Sequence, residues 1–172
     1  NLSRLQDSDP LQVAVELEIE DLISAAIDQS QISADNRQIM VSHTEAKDAL
    51  VLGDREQLVM AIQNLVENAI NYSPEGTKVS VNTTVDQGIV DISITDQGIG
   101  IPENDIDRIF ERFYRVDPAR SRQTGGTGLG LSIVKHVASK HGGEVTVWSV
   151  PGVGSTFSLR LPVYTPTQES VQ

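Results

Sequence analysis

The chain has no cysteine among its 172 residues, which excludes a disulfide framework and any thiolate metal site. Basic residues are scarce: 13 stand against 24 acidic ones, for a net charge of −11. A nucleic-acid binder carries a basic patch or stripe, so that class is disfavoured and no nucleic-acid partner is expected. No apolar run of the given sequence approaches the roughly 20 residues that cross a bilayer, and none reads as a signal peptide. An initiator Met is also missing. The chain opens mid-motif at "NLSRLQ", so an excised fragment is expected.

What is there suffices for one soluble, well-packed domain: 172 residues, 38% of them hydrophobic. Residues 1–5 read as the last turn of a helix whose body lies upstream, and 14–18 as a short strand. Leu22, Ile23, Ala26 and Ile27 give a helix from Asp21 to about Gln31. Strands follow at "QIMVSH" and "ALVLG", then a helix N-capped by Asp54 and ending near "SPEG". "KVSVNTTV" and "GIVDISITD" alternate apolar and polar residues and meet at Asp86-Gln87-Gly88, a hairpin turn. A glycine-rich turn at 98–100, a short helix around "IDRIFERF" and a polar stretch from Asp117 to Gly126 come next. A helix from about Gly128 to His141 and a hairpin turned at Pro151-Gly152 complete the pattern, and the tail after Pro162 is polar. There are no internal repeats and no low-complexity segment. Hairpins interleaved with helices predict an α+β two-layer sandwich, with a mixed, mostly antiparallel sheet covered on one face by helices.

Three stretches carry candidate chemistry. Asn64, Glu67, Asn68 and Asn71 fall in one narrow arc of a helical wheel, opposite Leu58, Ile62, Leu65, Val66 and Ala69. Asn is a mediocre helix former, so a stripe of it asks for a reason. Short amides suit a pocket wall and offer a neutral oxygen to a hard cation such as Mg²⁺ beside phosphate and water. The stripe alone also fits an exposed polar face. In "DQGIG", Asp96 at a strand end can accept an adenine amine, and the two glycines allow close approach of backbone to ligand. The same residues fit an ordinary strand-ending turn. In "GGTGLGLSIV", four glycines run into a helix, whose N–H groups and dipole form an anion-binding nest. The stretch has no Gly-Lys-Ser/Thr, so it is not a Walker A loop, and it runs into a helical pattern as a flexible linker would not.

Taken together, "NLVENAINYSP", "DQGIGIP", "IFERFYRVD", "GGTGLGLSIV" and "PGVGSTF" resemble the ordered signature blocks of sensor histidine kinases. They are similar to the ATP-binding catalytic domain of the GHKL superfamily, with its Bergerat-type fold, and most of all to the phosphate-sensing group of two-component kinases. The likeness runs from about residue 16 to 162. It implies that residues 1–13 are the end of a dimerisation and phosphotransfer helix with its linker, 14–163 the catalytic domain, and 164–172 a loose tail.

The resemblance also assigns roles. Asn64 and Asn68 would face the nucleotide, with Asn68 on Mg²⁺, and Tyr72 would pack near the adenine. Asp96 would read the adenine amine, with Gly98, Gly100 and Ile101 lining the base pocket. Ile109, Tyr114 and Arg115 would stand near the nucleotide, Arg115 as a phosphate stabiliser. Val116 to Gly126 would form a mobile lid, and Thr127, Gly128, Leu129, Gly130 and Leu131 would wrap the phosphates. Thr156 would support the base through its hydroxyl or a water. Asn71 departs from the pattern, standing where many relatives have a phosphate-contacting Lys, which removes one anchoring charge.

ATP-hydrolysing members such as gyrase B and the mismatch-repair proteins carry Glu at the position of Asn64. An Asn is no general base, so this site is expected to hold ATP with Mg²⁺ and present its γ-phosphate to another nucleophile. In the family that nucleophile is a histidine of the dimerisation domain, and the phosphoryl group then passes to a response-regulator aspartate. None of His43, His136 and His141 lies in the His-Glu/Asp acceptor context, so no self-phosphorylation is expected. Trp148 is read as core or sheet-face packing and "VELEIED" as a solvated edge. Phe110 and Phe113 are read as a surface for the partner domain or as packing beneath the lid. The implied parent is a membrane-anchored bacterial sensor kinase, a homodimer whose cytoplasmic portion includes this fragment, itself a monomer. A nucleotide-dependent switch module, of the anti-sigma or degenerate-kinase kind, is the alternative.

Overall fold

Period-two and period-3.6 stretches alternate along the chain, and each resolves into its element. A computed structural model describes residues 14–111 and 130–166. In chain order these are β1 (Val15–Glu18), α1 (Ile19–Asn36), β2 (Met40–His43), β3 (Leu50–Gly53), α2 (Arg55–Asn71), β4 (Lys78–Asp86) and β5 (Ile89–Thr95). A 3₁₀ turn (Glu103–Asp105), α3 (Gly130–Lys140), β6 (Glu144–Val150) and β7 (Gly154–Pro162) follow. Five strands form one sheet in the order β2-β4-β5-β7-β6, and β1 pairs with β3 in a separate two-stranded ribbon. Only β2 and β4 run parallel; every other pairing is antiparallel. The fold is the two-layer α+β sandwich that the pattern predicts.

Strand alternation decides which side chains meet the helices. Val79 and Val81, then Val90, Ile92 and Ile94, then Phe157, Leu159 and Leu161 are all buried on the helix side. The other face is polar. Across it Asp91 pairs with Arg160, Ser93 with Ser158 and Thr95 with Thr156. Arg160 Nη1 donates to Asp91 Oδ2 at 2.9 Å, and the Thr95 and Thr156 hydroxyls lie 3.0 Å apart. Trp148 belongs to this open face and is 68% exposed, so it lies on the sheet without being packed into a core.

α2 shows why a poor helix sequence persists. Asp54 caps it, accepting the Gln57 N–H at 3.1 Å. Leu58, Ile62, Leu65 and Ile70 are fully buried beneath it. Each such burial contributes about 1.5–3 kcal/mol, whereas an Asn costs at most ~0.7 kcal/mol relative to Ala, so the apolar face outweighs the stripe several-fold. At its far end Arg37 donates from Nε to the Ile70 carbonyl at 3.0 Å and from Nη2 to that of Ser73. A guanidinium there satisfies exposed carbonyls and suits the negative end of the helix dipole.

Several expectations need adjustment. α1 runs through Asn36 because it ends in a Schellman motif: Ile39 N donates to Ala34 O and Gln38 N to Asp35 O, with Gln38 at φ 57°. In the acidic run, Glu16 and Glu18 are exposed, but Glu20 accepts the Ala46 N–H at 2.9 Å and lies 3.0 Å from His43 Nε2. That backbone bond, then His43, hold its carboxyl below its usual range. Of the segment expected to be helical near 106–113, the described residues 106–111 wind instead through i→i+3 bonds, Ile106 to Glu103, Arg108 to Asp105 and Glu111 to Arg108. An apolar face this short does not offset the cost of nucleating an α-helix. Phe110 is half-buried and packs edge-on against Phe157, ring centroids 6.2 Å apart. Past β7, Tyr164 N donates to Leu50 O at 2.7 Å. Expectations for 1–13, Phe113, the lid and 167–172 lie outside the described residues.

Candidate functional site

The site is assembled where the C-terminal end of β5 meets α2 and α3. Alternation carries Asp96 to the helix side, after Ile92 and Ile94, while Thr95 faces away. Asp96 is 7% exposed, and its Oδ1 accepts two backbone N–H groups, from Gly98 at 2.8 Å and Ser155 at 3.1 Å. Burial pushes its carboxyl above the usual range, against the pull of those two bonds. Among the described residues Oδ2 has no such backbone partner.

Gly98 presses on the end of α2: a Cβ there would overlap the Tyr72 carbonyl oxygen. Gly100 holds φ 76° and lies against the Val150-Pro151 backbone, in space no side chain could share. Ile101 N donates to Ser149 Oγ at 2.7 Å and Gly152 N to Ile99 O at 2.7 Å, so the Gly98–Ile101 loop is pinned to the β6–β7 turn. Tyr72, the C-cap of α2, is half-buried at this end.

From Tyr72 the half-buried amides of Asn71, Asn68 and Asn64 lead back along α2. Seven residues of helix cover about 10 Å. At the far end stands Gly130, the first residue of α3; a Cβ built on it would lie 3.8 Å from the Asn64 amide. A buried acceptor at one end of the amide wall and the first described turn of α3 at the other are thereby brought along one helix. Glu67 is turned away from it, accepting from Ser33 Oγ of α1 at 2.7 Å and from Gln63 Nε2 at 3.1 Å.

Other expected site residues fall differently. Ile109 is buried in the core, and Leu131 is half-buried against it. Thr156 does not join the site: its hydroxyl is 3.0 Å from that of Thr95 on the open face. The residue beside Asp96 is Ser155, 6% exposed, whose parity with buried Phe157 could have been read from the strand. Tyr114, Arg115, Gly126, Thr127, Gly128 and Leu129 lie outside the described residues. His141 is structural: buried, its Nδ1 bonds the Val137 carbonyl at 2.7 Å and Nε2 accepts the Asp54 N–H at 3.1 Å. Those bonds assign the Nδ1–H tautomer, and burial lowers its basicity. His136 is half-buried on α3.

A buried strand-end acceptor, an asparagine wall and a glycine-led helix on this sandwich define an ATPase-type nucleotide domain. Residues 53–165 match the signature of the histidine kinase-, DNA gyrase B- and HSP90-like ATPases, and the chain belongs to that family. It is 50% identical over 169 residues to the sensor-like histidine kinase SenX3 of Mycolicibacterium smegmatis, covering 98% of this chain and 44% of that protein. The chain thus spans less than half the length of that curated relative. Among solved structures, the mycobacterial sensor histidine kinase MprB is 31% identical with TM-score 0.75, over 90% of this chain and 100% of that one. Full-length ShkA in complex with AMPPNP is 26% identical with TM-score 0.80, over 96% of this chain and 34% of that one.

Proposed function

We propose that this domain binds ATP with Mg²⁺ and presents the γ-phosphate to a histidine on a dimerisation domain of the same parent kinase. The phosphoryl group then passes to a response-regulator aspartate. The observation that carries this reading is that Asp96 stands at the Tyr72 end of the asparagine stripe and Gly130 of α3 at its Asn64 end. Asp96 Oδ2 accepts the adenine amine, Tyr72, Gly98, Gly100 and Ile101 enclose the base, and the sugar and phosphates follow the amides toward Gly130. The start of α3 supplies backbone N–H groups to the terminal phosphates.

The residues fit Mg²⁺ held jointly by phosphate and amide oxygens. Among the described residues no group of three or more His, Asp or Glu converges on a point, so no all-protein cage competes with that arrangement. Asn68 would hold the ion, which would supply charge neutralisation on the phosphates. Asn64 cannot take a proton from water, and Glu67, the carboxylate of that arc, is committed to Ser33 and Gln63. Water is therefore a poor acceptor here, and transfer waits for an oriented histidine. Arg115, Tyr114 and the stretch from Gly126 to Leu131 complete the phosphate end in this reading, with a lid before them.

In the parent, a membrane-anchored homodimeric sensor kinase, residues 14–163 form the cytoplasmic catalytic domain and 1–13 the close of the phosphotransfer helix. The isolated chain is a monomer. The test mixes it with a separately expressed phosphoacceptor domain and radiolabelled ATP. Label on the acceptor histidine, and none on this chain alone, is the expected result. Saturable ATP binding with no transfer, while a full-length control works, would replace the kinase with a nucleotide-dependent switch.

A further inference from the structure

Ser149, on the helix side of β6, sits at the junction of three segments. Its Oγ lies 2.7 Å from Ile101 N, 2.9 Å from the hydroxyl of its cross-strand partner Ser155, and 3.1 Å from the Gly154 carbonyl. A hydroxyl has one hydrogen to give and two lone pairs. The Ile101 N–H can only donate, so it occupies one lone pair. The Gly154 carbonyl can only accept, so it takes the Ser149 hydrogen. What remains is the second lone pair, and Ser155 must donate its own hydrogen to it. The Ser155 oxygen is then left with lone pairs alone for any further contact.

Ser155 is itself buried, and its backbone N donates to Asp96 Oδ1 at 3.1 Å, which brings the residue beside that carboxyl group. Two acceptors therefore meet at the base end of the site, a carboxyl oxygen of Asp96 and a hydroxyl whose hydrogen is committed elsewhere. Turning the chain of hydroxyls round would direct the Ser155 hydrogen outward and strip the Gly154 carbonyl of this donor.

We propose that Ser149 is a positioning residue that fixes hydrogen polarity in the base pocket, making Ser155 an acceptor and biasing the site toward 6-amino over 6-oxo purines. The inference rests on the nucleotide-binding reading. A 6-amino group, or a water bonded to the ring, meets two acceptors with its hydrogens. A 6-oxo group brings a lone pair to lone pairs, and leaving buried polar groups mismatched is expensive. Ser149 also holds the Gly98–Ile101 loop through the Ile101 N–H, so its hydroxyl couples loop position to base preference.

The experiment measures affinities for ATP and inosine triphosphate, each with Mg²⁺, by calorimetry on the intact chain and on Ser149→Ala, Ser149→Thr and Ser155→Ala. With the hydrogen acceptor gone in Ser149→Ala, the Ser155 hydroxyl is free to donate. The ATP-to-inosine-triphosphate affinity ratio is expected to fall about tenfold, the weight of one hydrogen bond. Ser149→Thr, which keeps the hydroxyl, restores the ratio. A purely structural role would weaken both nucleotides alike, and an unchanged ratio in a folded Ser149→Ala overturns the proposal. Should that variant unfold by circular dichroism, Ser155→Ala carries the test, since removing the acceptor must lower the ratio and an unchanged ratio refutes it. Absence of binding by the wild-type chain to either nucleotide would instead strike the nucleotide-binding reading, and the inference with it.

Discussion

Replacing Asp96 with Asn separates what this residue does for the fold from what it does for a ligand. The Asn carbonyl can take over Oδ1 and accept the Gly98 and Ser155 N–H groups at the distances now seen, 2.8 and 3.1 Å. What changes is Oδ2, which becomes an amide donor. A hydrogen bond to a charged acceptor contributes about 1.5–3 kcal/mol, and at about 1.4 kcal/mol per tenfold its loss weakens adenine-nucleotide binding roughly 10- to 150-fold. Stability should move the other way. Burial raises the folded-state pKa of Asp96 above its ordinary value of 3.8. Its stabilising contribution is therefore complete below pH 3.8 and is lost as pH rises through the folded value, because ionising the buried group carries a cost. Asn removes that cost. Calorimetric titration with ATP and thermal melts at pH 7 and near pH 4 measure both halves: binding is lost at pH 7 while Tm holds or rises, and the Tm difference shrinks at low pH. Wild-type affinity in Asp96→Asn would refute the base-reading role, and a Tm several degrees lower at pH 7 would show the charge to be structural.

Asn68→Ala should abolish the Mg²⁺-dependent part of nucleotide affinity, read as the difference between titrations with and without Mg²⁺. Its Tm should hold or rise, because Ala is the better helix former by up to ~0.7 kcal/mol. Leu65→Ala, fully buried beneath the same helix, should cost about 2–5 kcal/mol in urea unfolding; a loss below 1 kcal/mol would mean the layers do not pack as described. His141 has a folded pKa below its ordinary 6.5, because burial disfavours the charged form. Its contribution is therefore full above pH 6.5 and declines as pH falls from there through the folded value. His141→Gln should flatten that part of the stability–pH curve, and an unaltered curve would acquit His141 of the dependence.

Much of this architecture is legible in local chemistry. The Asp54 cap and the turn at Gln87-Gly88, both at positive φ as a type I′ turn requires, act within a few residues of sequence. What escapes local reading is set by distant partners or by atypical residues in standard roles. Gln38 takes the left-handed position that usually belongs to Gly, so nothing in the sequence marks the true end of α1. Arg37 caps a helix whose end lies more than thirty residues away. Of the candidate site, Asp96, Gly98 and the asparagines stand where one-dimensional spacing puts them. Choosing between Thr156 and Ser155 needed the strand's facing, which a single-residue step inverts. The hydroxyl chain through Ser149 depends on cross-strand register and could not be read at all.

Whole-molecule charge bears on how such a site can work. A chain of net charge −11 repels a nucleoside triphosphate at long range, and the screening length at physiological salt, about 8 Å, leaves much of that repulsion in place near the surface. The wall facing the proposed ligand answers with neutral groups: amides, backbone N–H and the partial positive end of α3. Lys is missing at Asn71, so the chain's own cations on this helix do not offset the phosphates there. In the proposed reading, counter-charge would come chiefly with the ligand, as its Mg²⁺, and from Arg115. A site of that kind would hold the metal complex in preference to free nucleotide. Asn68 would hold the metal there, and Asn64, one turn away, would offer water no base.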